Sequence, residues 1–390
     1  MIKVALLTTD SREHFKDYAN PNPYFGTAPE ALIEGFKLLP DKVEIHIVSC
    51  LQKAPVSSPA KLAENIYYHA LRVPNIGWMK TGYQGCVRAV RRKLREIRPD
   101  IVHGQGTERD CAISAALSGF PSVVTVHGVM RAIRALSGSR RADYYCAASI
   151  LESFALRRTG GVITISPYVD ALVAPLTPLT WFIPNAIQLF FLESSCAERS
   201  PNTVPHLVNV GVISPRKRQL ELLEHLSRLR ETVHFNFTFI GKPTYGSTYN
   251  ERFFRLLHSV NSRHEGFVHR EFLSEEEFIK LYDTSDAMVH FSSEESFGLT
   301  FAEALARNLP LFASDVGAIR QISDGIAECR IFAPDDFTGL IDSLRVWIDA
   351  NTWTVVRETL PNRLIAARYH PRVVADKHLK VYQEVVDRTL

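Results

Sequence analysis

Phe291-Ser-Ser-Glu-Glu-Ser-Phe-Gly-Leu-Thr-Phe-Ala-Glu-Ala-Leu-Ala306 is the stretch around which the chain is organised. The apolar run Ala287-Met-Val-His-Phe291 leads into it and reads as a buried strand. Gly298 then lets the backbone swing into a helix that carries Glu303. Asn308-Leu-Pro310 ends the helix, and Leu311-Phe-Ala313 reads as the next strand. The result is half of a βαβ unit with two carboxylates at its ligand-facing end: Glu295 in the turn and Glu303 one turn into the helix. A helix N-terminus there offers free N–H groups and the positive end of a dipole, which suits a phosphate. The carboxylates would repel that phosphate, so they are expected to accept hydrogen bonds from hydroxyls. Two patches of hydroxyls on one phosphate-bearing ligand suggest a sugar nucleotide.

Glu295-Ser-Phe-Gly-Leu-Thr-Phe-Ala-Glu303-Ala304 resembles the nucleotide-sugar signature of retaining glycosyltransferase family 4 (glycosyltransferase group 1), on the GT-B fold. The resemblance implies an α/β architecture of two Rossmann-like, doubly wound parallel-sheet domains with a cleft between them. It implies that Glu295 holds donor-sugar hydroxyls and Glu303 the ribose hydroxyls. The N–H groups of Leu299 and Thr300 are expected at the diphosphate, and the turn Ser296, Phe297, Gly298 in the donor site. Thr125-x-His127-Gly128 is similar to the family's Thr-x-His, whose histidine is expected at the donor sugar, meeting Glu295 across the cleft. Gly26-Thr27 is what remains of the family's glycine-rich loop after the first strand.

The chain departs from the family in places. Gly211-Val-Ile-Ser-Pro-Arg-Lys-Arg218 keeps the family lysine as Lys217, but Val212 stands where an arginine is usual. Arg216 is the expected substitute for that charge. Ala186 follows Ile183-Pro-Asn185 in place of glycine, and Val316 replaces one of two glycines in Ser314-Asp-Val-Gly317. His127, Glu295 and Lys217 are thus the expected catalytic residues. Glu303, Arg216, Ser296, Phe297, Gly298, Leu299, Thr300 and Gly26 are the expected donor site. The family uses no metal and no cofactor beyond the nucleoside diphosphate sugar. A carboxylate pair also serves glycosidases, but theirs must flank the sugar, which one turn-and-helix unit does not readily arrange. A catalytically weak pseudo-glycosyltransferase, binding the nucleotide sugar as a regulatory subunit, is the alternative that the departures favour.

Composition fits this reading. The apolar fraction of 46% and charged fraction of 22% are those of a globular protein. A net charge of +3 is too small to argue for nucleic acid. The cysteines Cys50, Cys86, Cys111, Cys146, Cys196 and Cys329 form no Cys-x-x-Cys pair, which reads as a reduced cytoplasmic chain without a zinc site. No apolar run approaches the ~20 residues of a membrane span.

Domain boundaries are expected at 1–190, 191–370 and 371–390, the last a helix from Pro371 returning to the first domain. Residues 186–205 lack periodicity and read as the link. The second domain is expected to open with a strand His206–Ile213, and Ser274 with Glu277 forms a capping box for a helix Glu275–Thr284. Residues 84–98 read as an amphipathic helix. Val87, Val90, Leu94 and Ile97 lie on one side, and Arg88, Arg91, Arg92, Lys93, Arg95 and Arg98 cover much of the rest. That face suits either water or the anionic inner face of a membrane. Arg131, Arg134, Arg140 and Arg141 form a second basic cluster, expected near a carbohydrate, lipid-linked or small-molecule acceptor.

Overall fold

A computed structural model describes the chain except residues 77, 137–141, 194–201, 245, 355–359 and 390. The described residues form two compact units, Met1–Gln188 with Tyr369–Leu390 and, separately, Leu189–Arg368.

In the first unit the strands are β1 (Ile2–Leu7), β2 (Val43–Leu51), β3 (Lys61–Ala63), β4 (Ile66–Arg72), β5 (Ile101–Gln105), β6 (Ser122–Val126), β7 (Val162–Thr164) and β8 (Thr180–Phe182). They form one sheet in the order β3-β4-β2-β1-β5-β6-β7-β8. All neighbours are parallel except β3 and β4. The central strands β5 and β6 are buried at every residue, as parallel strands covered on both faces must be. The helices Thr27–Lys37 and Pro371–Asp387 pack together, and Phe36, Val374 and Tyr382 join Val4, Ile45 and Ile101 in one core. Their approach needs Gly35, because a Cβ there would lie 2.2 Å from the Pro371 carbonyl oxygen.

The helix Gln84–Ile97 buries Cys86, Val87, Val90, Leu94 and Ile97 and leaves Arg88, Arg91, Arg92 and Arg95 exposed. Arg98 ends it in the left-handed region at φ 53, so the helix stops one residue short of the 84–98 span. Arg131 and Arg134 are exposed on the helix Met130–Leu136, while Arg140 and Arg141 lie outside the described residues. The cysteines are less scattered in space than in sequence. Cys50 and Cys86, with Asp110, form a buried group whose donor atoms lie within 4.8 Å of one another. The reading that excluded a zinc site rested on sequence spacing, which does not see this convergence.

The second unit is a smaller sheet of β9 (His206–Val210), β10 (Asn236–Ile240), β11 (Phe267–Arg270), β12 (Ala287–His290), β13 (Leu311–Ser314) and β14 (Cys329–Phe332). Their order is β11-β10-β9-β12-β13-β14, parallel throughout. Phe237, Phe239, Val289 and Phe312 meet Leu222, Leu226 and Leu344 in its core. β9 ends at Val210 rather than Ile213. A Cβ on Gly241 would come 2.0 Å from the Gly211 carbonyl oxygen, so the two backbones touch there and Ile213 makes only an isolated bridge to Pro243. The capping box stands as expected, with Ser274 Oγ accepting from Glu277 N–H at 3.3 Å and Glu277 accepting from Ser274 N–H at 2.9 Å. The 186–205 stretch is not featureless: Phe190–Glu193 is helical, and 194–201 lie outside the described residues. Buried Arg307 follows the signature helix and pairs with Asp283 through two bonds of 2.8 and 2.7 Å, which anchors that helix from its far end.

Candidate active site

The second unit builds its site at the carboxyl ends of β9 and β12, where ligands bind in such sheets. β12 is buried throughout and delivers the 291–298 turn. Gly298 closes it at φ +103, and a Cβ there would come 2.4 Å from the Phe301 ring. No side chain caps the helix Leu299–Ala306, and among the described residues nothing accepts from the N–H groups of Leu299 and Thr300. Gly317, at φ +60, backs the turn so closely that a Cβ would lie 2.0 Å from the Glu295 carbonyl oxygen. Of the Val316-Gly317 pair, the glycine that remains is therefore the one that Glu295 requires.

The loop after β9 brings cations to this turn. Lys217 forms an ion pair with Glu295. Arg216 donates to the Glu294 carbonyl oxygen at 3.0 Å and to its carboxylate at 3.1 Å, and lies 3.5 Å from Glu295 Oε2. The Arg216 carbonyl in turn accepts from Ser293 N–H at 2.8 Å, which stitches loop to turn. Arg218 is engaged elsewhere, with the Pro334 carbonyl at 2.7 Å and Asp335 at 2.9 Å. Val212 is exposed and donates nothing.

The two signature glutamates sit in opposite electrostatic states. Burial would raise the Glu295 carboxyl, but Lys217, with His290 and Arg216 beyond it, outweighs burial and holds it at about 2. His290, with Nε2 3.8 Å from Glu295, is pushed down to about 3, first by burial and then by Lys217, so it stays neutral. Glu303 is 4% exposed and receives no hydrogen bond from any described residue. Burial raises it to about 8, so at neutral pH it is largely uncharged. Sequence reasoning put Lys217 and Glu295 at different parts of one ligand; the fold joins them to each other.

In the first unit, His127 follows β6, and its Nε2 lies 2.7 Å from Gln105 Oε1 at the end of β5. Burial lowers its pKa to about 4, and its Nδ1 is buried without a partner. His127 lines a small cavity with Ala28, Leu32, Asn185 and His378. Gly26 caps the helix that supplies Ala28 and Leu32, at φ +84, with open space where a Cβ would stand. The structure thus gathers Lys217, Arg216 and Glu295 at one turn, carries Ser296, Phe297, Gly298, Leu299, Thr300 and Glu303 onward from it, and brings His127 beside the Gly26 helix.

Residues 193–349 match the family model for glycosyl transferases group 1, and residues 37–189 match that for Glycosyltransferase Family 4. The chain belongs to the group 1 glycosyltransferases. This glycosyltransferase is 24% identical over 306 residues to glycogen synthase of Mycobacterium tuberculosis, covering 74% of this chain and 69% of that one. It is 28% identical over 162 residues to the serotype-specific mannosyltransferase WbdA of Escherichia coli, 37% of this chain and 20% of that one. Its fold is that of sucrose-phosphate synthase from Thermosynechococcus elongatus, with a TM-score of 0.77 at 16% identity and full coverage of both chains. Anabaena HepE, solved with UDP and glucose, superposes with a TM-score of 0.72 at 15% identity, over 98% of this chain and 100% of that one. Among the described residues of this glycosyltransferase, no helix is long and apolar enough to cross a membrane.

Sequence reasoning passed over Glu294, His290 and Gln105. Glu294 stood in the quoted turn and Gln105 in His103-Gly-Gln-Gly106, and neither was given a part. Only their spatial partners distinguish them from ordinary turn and strand-end residues.

Proposed function

We propose that this glycosyltransferase moves a hexosyl group from a UDP- or GDP-sugar to an acceptor hydroxyl with retention of anomeric configuration. The product would be a glycan, polysaccharide or glycolipid, and no metal would take part. The observation that carries the reading is the pairing of Lys217 and Arg216 with the Glu294–Glu295 turn, just before the uncapped N-terminus of Leu299–Ala306. As the anomeric carbon–oxygen bond breaks, negative charge collects on the diphosphate, and preformed donors aimed there lower the barrier. Lys217, Arg216 and the N–H groups of Leu299 and Thr300 are those donors. They supply the positive field that a metal ion would otherwise bring.

A buried, uncharged Glu303 suits ribose hydroxyls: their donation would favour its ionised form, and Glu303 then accepts from both. Glu295 is already ionised, so it can accept from the donor sugar while sharing Lys217 with the diphosphate. His127 offers the unpaired Nδ1 to a further hydroxyl. The acceptor's proton passes to the departing phosphate on the same face, and no side chain forms a covalent bond. The HepE structure with UDP-glucose makes that donor the first to try.

A thermal-shift panel of UDP, GDP, UDP-glucose and a GDP-hexose tests the reading, because a ligand that binds only the folded state raises the melting temperature. Transfer is then assayed with EDTA present. The reading fails if no nucleotide shifts the melting temperature, or if EDTA abolishes transfer. Binding without transfer to any acceptor would leave a nucleotide-sugar-binding subunit.

A further inference from the structure

A line of buried polar groups runs from the C-terminal helix to His127. Tyr382 Oη lies 2.6 Å from His103 Nδ1, and Thr125 Oγ1 lies 2.7 Å from His103 Nε2. The His103 ring is fully buried and held at both nitrogens. The Gln105 amide nitrogen lies 3.1 Å from Nε2 and 3.4 Å from Nδ1 of that ring. An atom so nearly equidistant from both nitrogens cannot lie along either lone pair, so it rests against the ring face. Burial keeps His103 well below its ordinary pKa and therefore neutral, with an electron-rich face. Such a face takes an amide N–H and repels a carbonyl oxygen. The Gln105 amide can point only one way, with its NH₂ on His103 and its oxygen on His127.

A carboxamide oxygen accepts and never donates. The His127 nitrogen 2.7 Å from Gln105 Oε1 must therefore carry the proton. We infer that Gln105 is a positioning residue that fixes His127 as the Nε2–H tautomer, leaving Nδ1 as a lone-pair acceptor for a hydroxyl of the donor sugar. The His103 clamp, with Tyr382 and Thr125, sets the direction of the Gln105 amide. The inference rests on the proposed donor role of His127 for its functional part, though the tautomer itself does not.

Nitrogen-15 NMR of the full chain with labelled histidine reads the tautomer directly, with the His127 signals assigned by their loss in His127→Asn. The expected spectrum has His127 Nε2 protonated and Nδ1 bare. Gln105→Leu should mix or reverse that pattern. In transfer assays Gln105→Leu should raise the donor KM roughly tenfold and leave the affinity for bare UDP or GDP within about twofold. Protonated Nδ1 in the parent overturns the inference, as does a His127 pattern that Gln105→Leu leaves unchanged. The parent spectrum decides even if Gln105→Leu does not fold. If the tautomer is as stated but His127→Ala transfers normally, the positioning stands and the donor role of His127 falls.

Discussion

Removing Lys217 takes a cation from the proposed diphosphate site and strands a buried carboxylate. Lys217→Ala should lower transfer by at least about 100-fold. It should also cost about 3–5 kcal/mol of stability, because Glu295 stays buried without its partner. The double variant Lys217→Ala/Glu295→Gln should regain most of that stability and none of the activity. Urea unfolding beside a transfer assay checks both, and a double variant no more stable than the single one would refute the pairing argument. Arg216→Ala should cost less in both respects, because the Arg216 side chain is 40% exposed and screened by water.

Glu303 gives a pH dependence of definite sign. An unfolded carboxyl releases its proton near 4.5, whereas folded Glu303 holds it up to about 8. The unfolded chain therefore binds fewer protons across that window, and Glu303 lowers stability progressively as pH rises from about 4.5 to about 8. Glu303→Gln should remove that decline, worth on the order of 2–4 kcal/mol for a fully buried group. It should also weaken nucleotide binding at pH 8 far more than at pH 6, since the parent binds through the ionised form. Calorimetric titration with UDP and GDP at the two pH values reads this, and equal losses at both would remove Glu303 from the ribose.

At the scale of elements, the helix Gln84–Ile97 was legible because its periodicity is local: every third or fourth residue turns inward. Its exposed Arg88, Arg91, Arg92 and Arg95 are a face that anionic lipid would attract. We propose that this face contacts an anionic membrane at its periphery. Binding to phosphatidylserine-containing vesicles should then fall steeply between about 0.05 and 0.3 M salt, and with Arg91→Glu/Arg92→Glu, while soluble-acceptor transfer is unchanged. Absence of vesicle binding at low salt would leave the face simply solvated. The capping box of Glu275–Thr284 was legible for the same local reason. The end of β9 was not, because it depends on Gly211 meeting Gly241 of another strand, and no period in either segment announces that contact.

At the scale of the molecule, the last helix belongs to the core of the first unit. Deleting residues 371–390 would strip Val374, Tyr382 and Val385 from that core and break the Tyr382–His103 bond. Hydrogen exchange should then show lost protection in β1, β2 and β5, while Leu189–Arg368 keeps its protection and the proposed nucleotide binding. Loss of protection spread evenly over the chain would mean that the two units fold only as one.

The family, the parallel α/β character and the elements on which the site stands are legible in the order of the residues alone. Buried parallel strands are apolar runs, helices have their own period, and the Glu295-to-Glu303 signature lies within one turn and one helix. The states of the side chains are set only by the folded chain. Lys217 and Glu295 are 78 residues apart in sequence and meet only because β9 and β12 are neighbours in the sheet. Both carboxyls are buried, and only the cations beside Glu295 separate it, ionised down to about 2, from a Glu303 that keeps its proton to about 8, although the two lie on one short segment. Gln105 acquires its task from Tyr382, which is 279 residues from the histidine it holds. Protonation and pairing depend on what stands across a few ångströms of space, and only the order of the strands sets that.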